Sequence, residues 1–222
     1  MNSMLNKLLG WVVPMLVPAV LLMSAVRILM TPAFVRLEYQ MPNFPEDTYG
    51  FTQQDRMKLG PIALEYLLND SEISFLGELK FEDGTELYND REMGHMADVK
   101  NLTQRGLNIW YVLLALYVIL GIWARRVGWW ASYKSVLSKG GKYTTYLIGI
   151  LLVVIIISFN FIFTGFHRIF FEGDTWLFLF SDTLIRLFPM RFWQDAFIFL
   201  GIISLVEGLA LWYFLGTDHK KL

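Results

Sequence analysis

The chain has 222 residues, of which 55% are hydrophobic and 16% aromatic, and its formal net charge at pH 7 is -1. This charge argues against a nucleic-acid partner, because a surface that binds phosphates needs an excess of basic residues. The chain contains no cysteine, which excludes disulfides, thiol nucleophiles and thiolate metal ligands.

Four apolar segments are each long enough to cross a lipid bilayer, which takes about 20 residues. They cover residues 8–30, 107–124, 146–163 and 195–216. Lys7 followed by the first segment also resembles a signal peptide, but the segment is long for one and no small-x-small cleavage site follows it. We therefore predict an integral membrane protein that retains its first span.

Basic residues predict the orientation of these spans, because short cytoplasmic loops are enriched in Lys and Arg. Segment 125–145 contains five basic residues and no acidic one, and the tail 217–222 adds two lysines. We therefore expect this loop, the tail and both termini in the cytoplasm. Segments 31–106 and 164–194 are then expected on the outer face of the membrane.

The first outer segment, 31–106, begins with two predicted elements. Alternating apolar residues over 34–40 favour a half-buried strand. Thr52 and Asp55 have the spacing of a helix-capping box, and Gly60-Pro61 is expected to interrupt the helix that follows.

Two further elements are predicted before the second span. Asp83-Gly84 lies between two short runs of strand formers, 75–81 and 86–88, and predicts a β-hairpin. Asn89, with Glu92 three residues later, predicts the start of a helix over 90–105. The predicted fold is therefore a mostly α membrane protein, with four transmembrane helices and a small α+β extracellular cap.

Topology divides the three histidines. His95 and His167 fall in the outer segments, whereas His219 falls in the cytoplasmic tail, so only the first two can meet. Glu92, His95 and Asp98 recur every third residue and share one side of the predicted helix. A solvated polar stripe is the simpler interpretation of that pattern, but Gly94, which weakens a helix, suggests a close approach to the backbone.

The second outer segment, 164–194, places His167 in a zone rich in aromatic residues. An interfacial belt explains its tryptophans, but phenylalanine has no polar tip to keep wet, so we interpret the zone as a pocket wall. Asp182 and Arg186 are four residues apart and are expected to pair on a short helix. Asp174 could cap that helix or orient a histidine.

Three kinds of function remain open on these residues. Glu92, His95, Asp98 and His167 could contribute to a metal site of an outward-facing hydrolase, but the HExxH signature of zinc proteases is absent. The outer segments could also form a non-catalytic scaffold or sensor. Acid–base catalysis by two histidines, with Arg or Trp donors stabilising an oxyanion, suits an acyl transfer best.

Three stretches carry a family resemblance: 86–100 (ELYNDREMGHMADVK), 166–176 (FHRIFFEGDTW) and 182–189 (DTLIRLFP). They resemble the bacterial lipoprotein intramolecular transacylases in sequence and in order, and the span count agrees as well. The resemblance implies a cofactor-free acyltransferase of the cell membrane. It would move an acyl chain from the sn-2 ester of a diacylated lipoprotein to the α-amine of the N-terminal cysteine, leaving a lyso-form lipoprotein.

The resemblance also implies roles for individual residues. The catalytic pair of the family falls on His95 and His167. Seven further residues are expected to bind substrate or support the pair: Arg91, Glu92, Asp98, Arg168, Asp174, Trp176 and Arg186. The expected partners are the diacylated lipoprotein and membrane lipid, with no nucleic acid and no metal.

Overall fold

The computed structural model describes the backbone of residues 3–216 and the side chains of residues 10–216. His219 and the predicted cytoplasmic tail lie outside these residues. Eight helices follow one another in the described chain: α1 (Ser3–Leu29), α2 (Pro32–Tyr39), α3 (Gln53–Leu68), α4 (Ser74–Gly77), α5 (Asp90–Val127), α6 (Trp130–Phe170), α7 (Thr183–Leu187) and α8 (Met190–Gly216). The predicted mostly helical class is confirmed.

Four of these helices, α1, α5, α6 and α8, are long and apolar enough to cross a membrane. The prediction of a multi-pass membrane protein is therefore confirmed. Helix α5 has 38 residues, a length of about 57 Å, whereas the hydrocarbon core of a bilayer is about 30 Å thick. Its polar N-terminal turns, which contain His95, consequently extend beyond the apolar part of the helix.

The chain forms two compact units. The membrane unit comprises the described parts of Met1–Ile28, Leu107–Ile157 and Ile198–Leu222. Glycines bring its helices into close contact, because a Cβ atom on Gly141 would lie 2.6 Å from the Gly208 carbonyl oxygen. Small residues at such contacts are how helices pack closely inside a membrane.

The cap unit comprises Leu29–Gly106 and Ser158–Phe197. Helix α6 is thus shared between the units, and at Ser158 its backbone is non-helical, with φ -150° and ψ 73°. The core of the cap unit is apolar and aromatic and includes Ala63, Tyr66, Leu76, Leu87, Tyr88, Met96, Leu184 and Leu187.

The predicted strand over 34–40 is wrong, because this stretch belongs to helix α2. Thr31 caps the helix by accepting a hydrogen bond from the Phe34 N–H at 3.3 Å, and Pro32 suits its first turn. Val35 and Tyr39 are buried four residues apart, whereas Leu37 is 55% exposed. The burial therefore follows the helical period and not the strand alternation.

The predicted β-hairpin is also wrong, and with it the α+β cap. Gly84 makes a turn with φ 84°, as expected, but Ser74–Gly77 is the helix α4. The only β-pairing within residues 3–216 is an isolated bridge between Lys80 and Glu86. Nor does Gly60-Pro61 interrupt helix α3, which runs through it.

Gly60 has a different role. Its missing side chain makes room for the Tyr39 ring, since a Cβ atom there would lie 2.9 Å from Tyr39 Cε2. Tyr39 in turn donates a hydrogen bond to the Leu187 carbonyl oxygen at 3.0 Å.

Both predicted capping boxes are present. The Thr52 side chain accepts from the Asp55 N–H, and the Asp55 carboxylate accepts from the Thr52 N–H. Asn89 and Glu92 make the same reciprocal pair at the start of α5, with distances of 3.1 and 2.9 Å. These local signals predict helix starts well because both partners lie within one turn.

Candidate active site

His95 and His167 lie side by side in the cap unit. His95 is in the second turn of α5 and His167 in the last turn of α6. Both side chains are buried, and their ring centroids are 6.1 Å apart with an angle of 20° between the ring planes. One bound group of a few atoms can therefore contact both imidazoles.

The hydrogen bonding of His167 defines its tautomer. Its Nδ1 lies 2.7 Å from the Phe163 carbonyl oxygen, one helical turn earlier. Because a carbonyl can only accept, Nδ1 carries the hydrogen, and in the neutral ring Nε2 keeps its lone pair. His167 is thus prepared to accept a proton at Nε2.

His95 is in a different situation. Its Nδ1 is buried and has no hydrogen-bond partner within the described chain. The ring packs against Phe171 and Phe178, with centroid distances of 4.8 and 5.2 Å. An unpaired buried polar atom costs about 1–3 kcal/mol, which a bound polar group would recover.

Aromatic rings surround His167 as well. Phe163 and Trp176 lie at centroid distances of 4.2 and 4.8 Å, and Phe171 contacts both histidines. The aromatic zone therefore packs around both histidines, and its role as a pocket wall stays a prediction. Part of the zone does not line the site, since Phe180 is 80% exposed.

The spacing of the two rings affects their charge. Two positive charges about 6 Å apart repel each other by about 3 kcal/mol at an effective dielectric constant of about 20. Protonating one imidazole therefore disfavours protonating the other. Burial also lowers the pKa of both rings, that of His95 to about 4, so near neutral pH the pair can take up one proton at a time.

Glu92 does not contact either histidine through a recorded hydrogen bond, and its role is to join elements. It is 1% exposed, and in addition to the N–H of Asn89 it accepts the N–H of Leu184 at 2.6 Å. Arg91 donates to the Leu177 carbonyl oxygen at 3.1 Å. Both side chains thereby connect the start of α5 with the segment that precedes or forms α7.

Arg186 pairs with a different acid from the one predicted. Its Nε lies 3.1 Å from Asp47, and its guanidinium carbon lies 3.7 Å from the centre of the Phe51 ring. Asp182 instead accepts hydrogen bonds from Asn89 and from the Leu179 N–H. The predicted Asp182–Arg186 pair is therefore absent, because each partner is engaged elsewhere.

Four of the predicted site residues have exposed side chains: Arg91, Asp98, Arg168 and Asp174. Unlike Arg91, the other three have no side-chain hydrogen bond or ion pair among residues 10–216. Gly94, next to His95, has open space around it, so the expected close approach to its backbone is not made by any described residue. That space is open to a bound molecule.

A metal site finds no support in these residues. Within residues 3–216, no three His, Asp or Glu side chains are grouped closely enough to hold an ion. A zinc centre built on the two histidines would need a further protein ligand.

The family model of the lipoprotein intramolecular transacylase Lit matches residues 11–193. The chain belongs to this family. It is therefore an acyltransferase, a lipoprotein intramolecular transacylase.

The fold agrees with that of a solved Lit protein. The in meso structure of the membrane integral lipoprotein intramolecular transacylase Lit from Bacillus cereus aligns with a TM-score of 0.79 and 20% identity, covering 99% of each chain. A variant of that protein with one histidine replaced by alanine aligns with a TM-score of 0.71, covering 99% of this chain and 96% of that one. An uncharacterized protein of Aquifex aeolicus (strain VF5) is 31% identical over 98% of this chain and 97% of its own.

In this member of the Lit family, several residues of the site were not predicted individually. Thr183 donates to the Leu87 carbonyl oxygen, and Asp47 pairs with Arg186 across 139 positions of sequence. Neither residue belongs to a local pattern. Only the aromatic composition around His167 indicated that Phe171 and Phe178 would enclose the histidines.

Proposed function

We propose that this transacylase moves an acyl chain from the sn-2 ester of a diacylglyceryl lipoprotein to the α-amine of its N-terminal cysteine. The product is a lyso-form lipoprotein. His95 and His167 are the acid–base pair. The observation that supports this most is their 6.1 Å separation inside an aromatic pocket.

In the proposed reaction, the amine nitrogen bonds to the ester carbonyl carbon and gives up a proton. The bond between that carbonyl carbon and the glyceryl ester oxygen then breaks, and the glyceryl oxygen leaves and takes a proton. We assign the first proton to His167 Nε2, because the Nδ1 contact with Phe163 leaves that lone pair available. His95 then passes a proton to the leaving glyceryl oxygen and recovers one from His167, so both rings end as they began.

Confinement of the substrate is the second requirement. The attack closes a medium-sized ring through the cysteine side chain and two glyceryl carbons, a conformation that free chains rarely adopt. Orienting reacting groups in this way can contribute about 7–11 kcal/mol. Phe171, Phe178 and Trp176 provide walls without competing nucleophiles.

The remaining predicted residues fit supporting roles. Arg91, Glu92 and Arg186 fix the segments that carry the pocket. Asp98, Arg168 and Asp174 are exposed and are available to the polar part of a lipoprotein. We place both termini in the cytoplasm and the histidines at the outer face, on the basis of the basic segment 125–145.

Replacing each histidine tests this proposal. We expect His95→Ala and His167→Ala each to abolish lyso-form lipoprotein in cells that co-express a lipoprotein substrate. The loss of rate should be about 10²–10⁴-fold for each. Mass spectrometry of the lipoprotein N-terminus measures N-acylation directly.

His219→Ala is the matched control, because it removes the third histidine, which we predict in the cytoplasmic tail. It should leave N-acylation unchanged. Wild-type amounts of lyso-form product from a folded His95→Ala or His167→Ala protein would refute the assignment.

A further inference from the structure

A cavity partly lined by serine and lysine side chains lies in the membrane unit. Its volume is about 230 Å³, and it is lined by Ser135, Ser138, Lys139, Lys142, Trp212 and Gly216. The first four occupy positions i, i+3, i+4 and i+7 of α6 and so form one face of the helix. A polar face at this spacing is not explained by packing against apolar neighbours.

Close helix packing holds this face in place. Gly140 and Gly141 lie between the two lysines, and a Cβ atom on either would clash with Val17 or with Gly208. Ser138 donates to the Trp212 carbonyl oxygen at 3.1 Å. The lysines are therefore attached to a rigid part of the membrane unit.

The described residues that line the cavity carry a positive charge. No acidic residue lines it, and neither Lys139 nor Lys142 has a carboxylate partner among residues 10–216. Among residues 10–216, the Nζ of Lys142 lies 5.5 Å from the centre of the Trp212 ring and 5.9 Å from that of the Tyr146 ring. Its ammonium hydrogens therefore remain available to an anion.

The position of Lys142 along α6 indicates where such an anion would come from. The apolar segment 146–163 begins four residues after Lys142, and Tyr146 and Trp212 are residue types that favour the level of the lipid headgroups. Basic pockets between transmembrane helices at this level bind anionic headgroups.

We propose that this cavity binds the phosphate of an anionic membrane phospholipid. Lys139 and Lys142 contact the phosphate oxygens, the Ser135 hydroxyl donates to the headgroup, and the acyl chains lie along the apolar segments of α6 and α8. This site is separate from the acyl-transfer site, and its occupancy does not depend on the proposed chemistry there.

The test measures lipid binding to the full-length protein in a neutral detergent by native mass spectrometry. We expect phosphatidylglycerol to bind saturably, phosphatidylcholine to bind much more weakly, and added salt to weaken the phosphatidylglycerol complex. The double variant Lys139→Gln/Lys142→Gln should bind phosphatidylglycerol about 30-fold more weakly, since each lysine near an anionic surface contributes a factor of about five.

The matched control is Arg126→Gln/Lys134→Gln, which removes two basic residues of the same segment that do not line the cavity. It should bind phosphatidylglycerol as the wild type does. Lys139→Arg/Lys142→Arg, which keeps both charges, should also retain binding and serves if the glutamine variant does not fold.

Three results would overturn the proposal. If the cavity variant and the control lost phosphatidylglycerol affinity equally, the lipid would be held by a diffuse electrostatic attraction to the basic segment and not by the cavity. Unchanged binding in the cavity variant would place the lipid elsewhere. Displacement of phosphatidylglycerol by inorganic phosphate at similar concentration would mean that the cavity takes a soluble phosphate instead of a lipid.

Discussion

The two imidazoles of the candidate site use their ring nitrogens differently. His167 donates from Nδ1 to the carbonyl of Phe163, whereas Nδ1 of His95 has no partner within the described chain. A residue that already makes its structural hydrogen bond is suited to take a proton at the other nitrogen. A residue with an unpaired nitrogen is suited to bind a group of the substrate.

If both histidines act in the same proton transfers, their contributions should not add. We expect each single alanine variant to lose about 10²–10⁴-fold in N-acylation rate. The double variant should be only slightly slower than the slower of the two single variants. N-acylation rates of purified protein in liposomes measure this. A double variant whose loss equals the product of the two single losses would indicate independent roles.

Glu38 is a buried titratable residue that takes no part in the proposed chemistry. Its side chain is fully buried in α2. Burial and the neighbouring Asp195 together raise the pKa of Glu38 from 4.5 to about 8, and the charge of Arg191 opposes the rise. Folded protein therefore keeps a proton on Glu38 that unfolded chains release above about pH 4.5.

This difference makes the stability of the cap unit depend on pH. Below about pH 4.5 Glu38 is protonated in both the folded and the unfolded chain. As pH rises from 4.5 toward 8 the unfolded chain releases this proton and the folded chain keeps it, so the free energy of unfolding falls. We expect Glu38→Gln, a neutral replacement of the same shape, to have a Tm close to that of wild type at pH 4.5 and a higher one at pH 8. Thermal unfolding in detergent across this range is the measurement, and a Tm difference that does not vary with pH would contradict it.

At the scale of elements, Glu92 connects two helices through its carboxylate. It accepts the N–H of Asn89 at the start of α5 and the N–H of Leu184 in the first turn of α7. The carboxylate thereby fixes the start of α5 against the start of α7, although the two are far apart in sequence. We therefore propose that Glu92 supports the site and does not carry a proton.

Removing that carboxylate should therefore lower stability first. We expect Glu92→Ala to destabilise the protein by about 2–4 kcal/mol, because two backbone N–H groups lose their acceptor. Glu92→Gln, which keeps one acceptor oxygen, should be intermediate. Asp98→Ala, an exposed change on the same helix, should stay within about 0.5 kcal/mol.

Thermal unfolding and lyso-form production measured together separate the two roles. A Glu92→Ala protein with the Tm of wild type but without activity would show that Glu92 acts on the substrate instead.

The elements that could be predicted from sequence are those whose signals are local. The capping boxes at Thr52 and Asn89 and the apolar spans depend on neighbours within a turn or on composition alone. The stretch 34–40 was mispredicted because its alternation fits a strand, whereas the cap at Thr31 and the burial of Tyr39 under α3 favour a helix. The pairing of Arg186 with Asp47 depends on the tertiary fold, and no local spacing could indicate it.

The histidine pair is an intermediate case. His95 and His167 could be matched because only three histidines are present and topology separates them, and because the stretches around them resemble one family. Their separation of 6.1 Å and the tautomer of His167 required the folded structure.

At the scale of the whole molecule, the orientation in the membrane determines which side meets the substrate. We propose that the cap unit, which contains both histidines, lies outside and meets the lipoprotein there. The basic segment 125–145 supports this orientation, because it has five basic residues and no acidic one.

The absence of native cysteines allows a direct test of orientation. We expect a membrane-impermeant thiol reagent to label Glu82→Cys and Thr175→Cys on intact cells, since both positions are exposed in the cap unit. Ala131→Cys, exposed in the basic segment, should react only after the membrane is opened. Labelling of Ala131→Cys in intact cells would reverse the proposed topology.

The irregular backbone at Ser158 bears on how the enzyme tolerates different membranes. A thicker or thinner bilayer is met by changes in helix tilt, and α6 would transmit such a change to its own last turn if it were one continuous rod. The regular hydrogen-bond ladder is interrupted at Ser158, and His167 beyond it belongs to the same compact unit as His95. We therefore expect the distance between the two imidazoles to depend on packing within the cap unit and not on the tilt of the membrane-spanning part of α6.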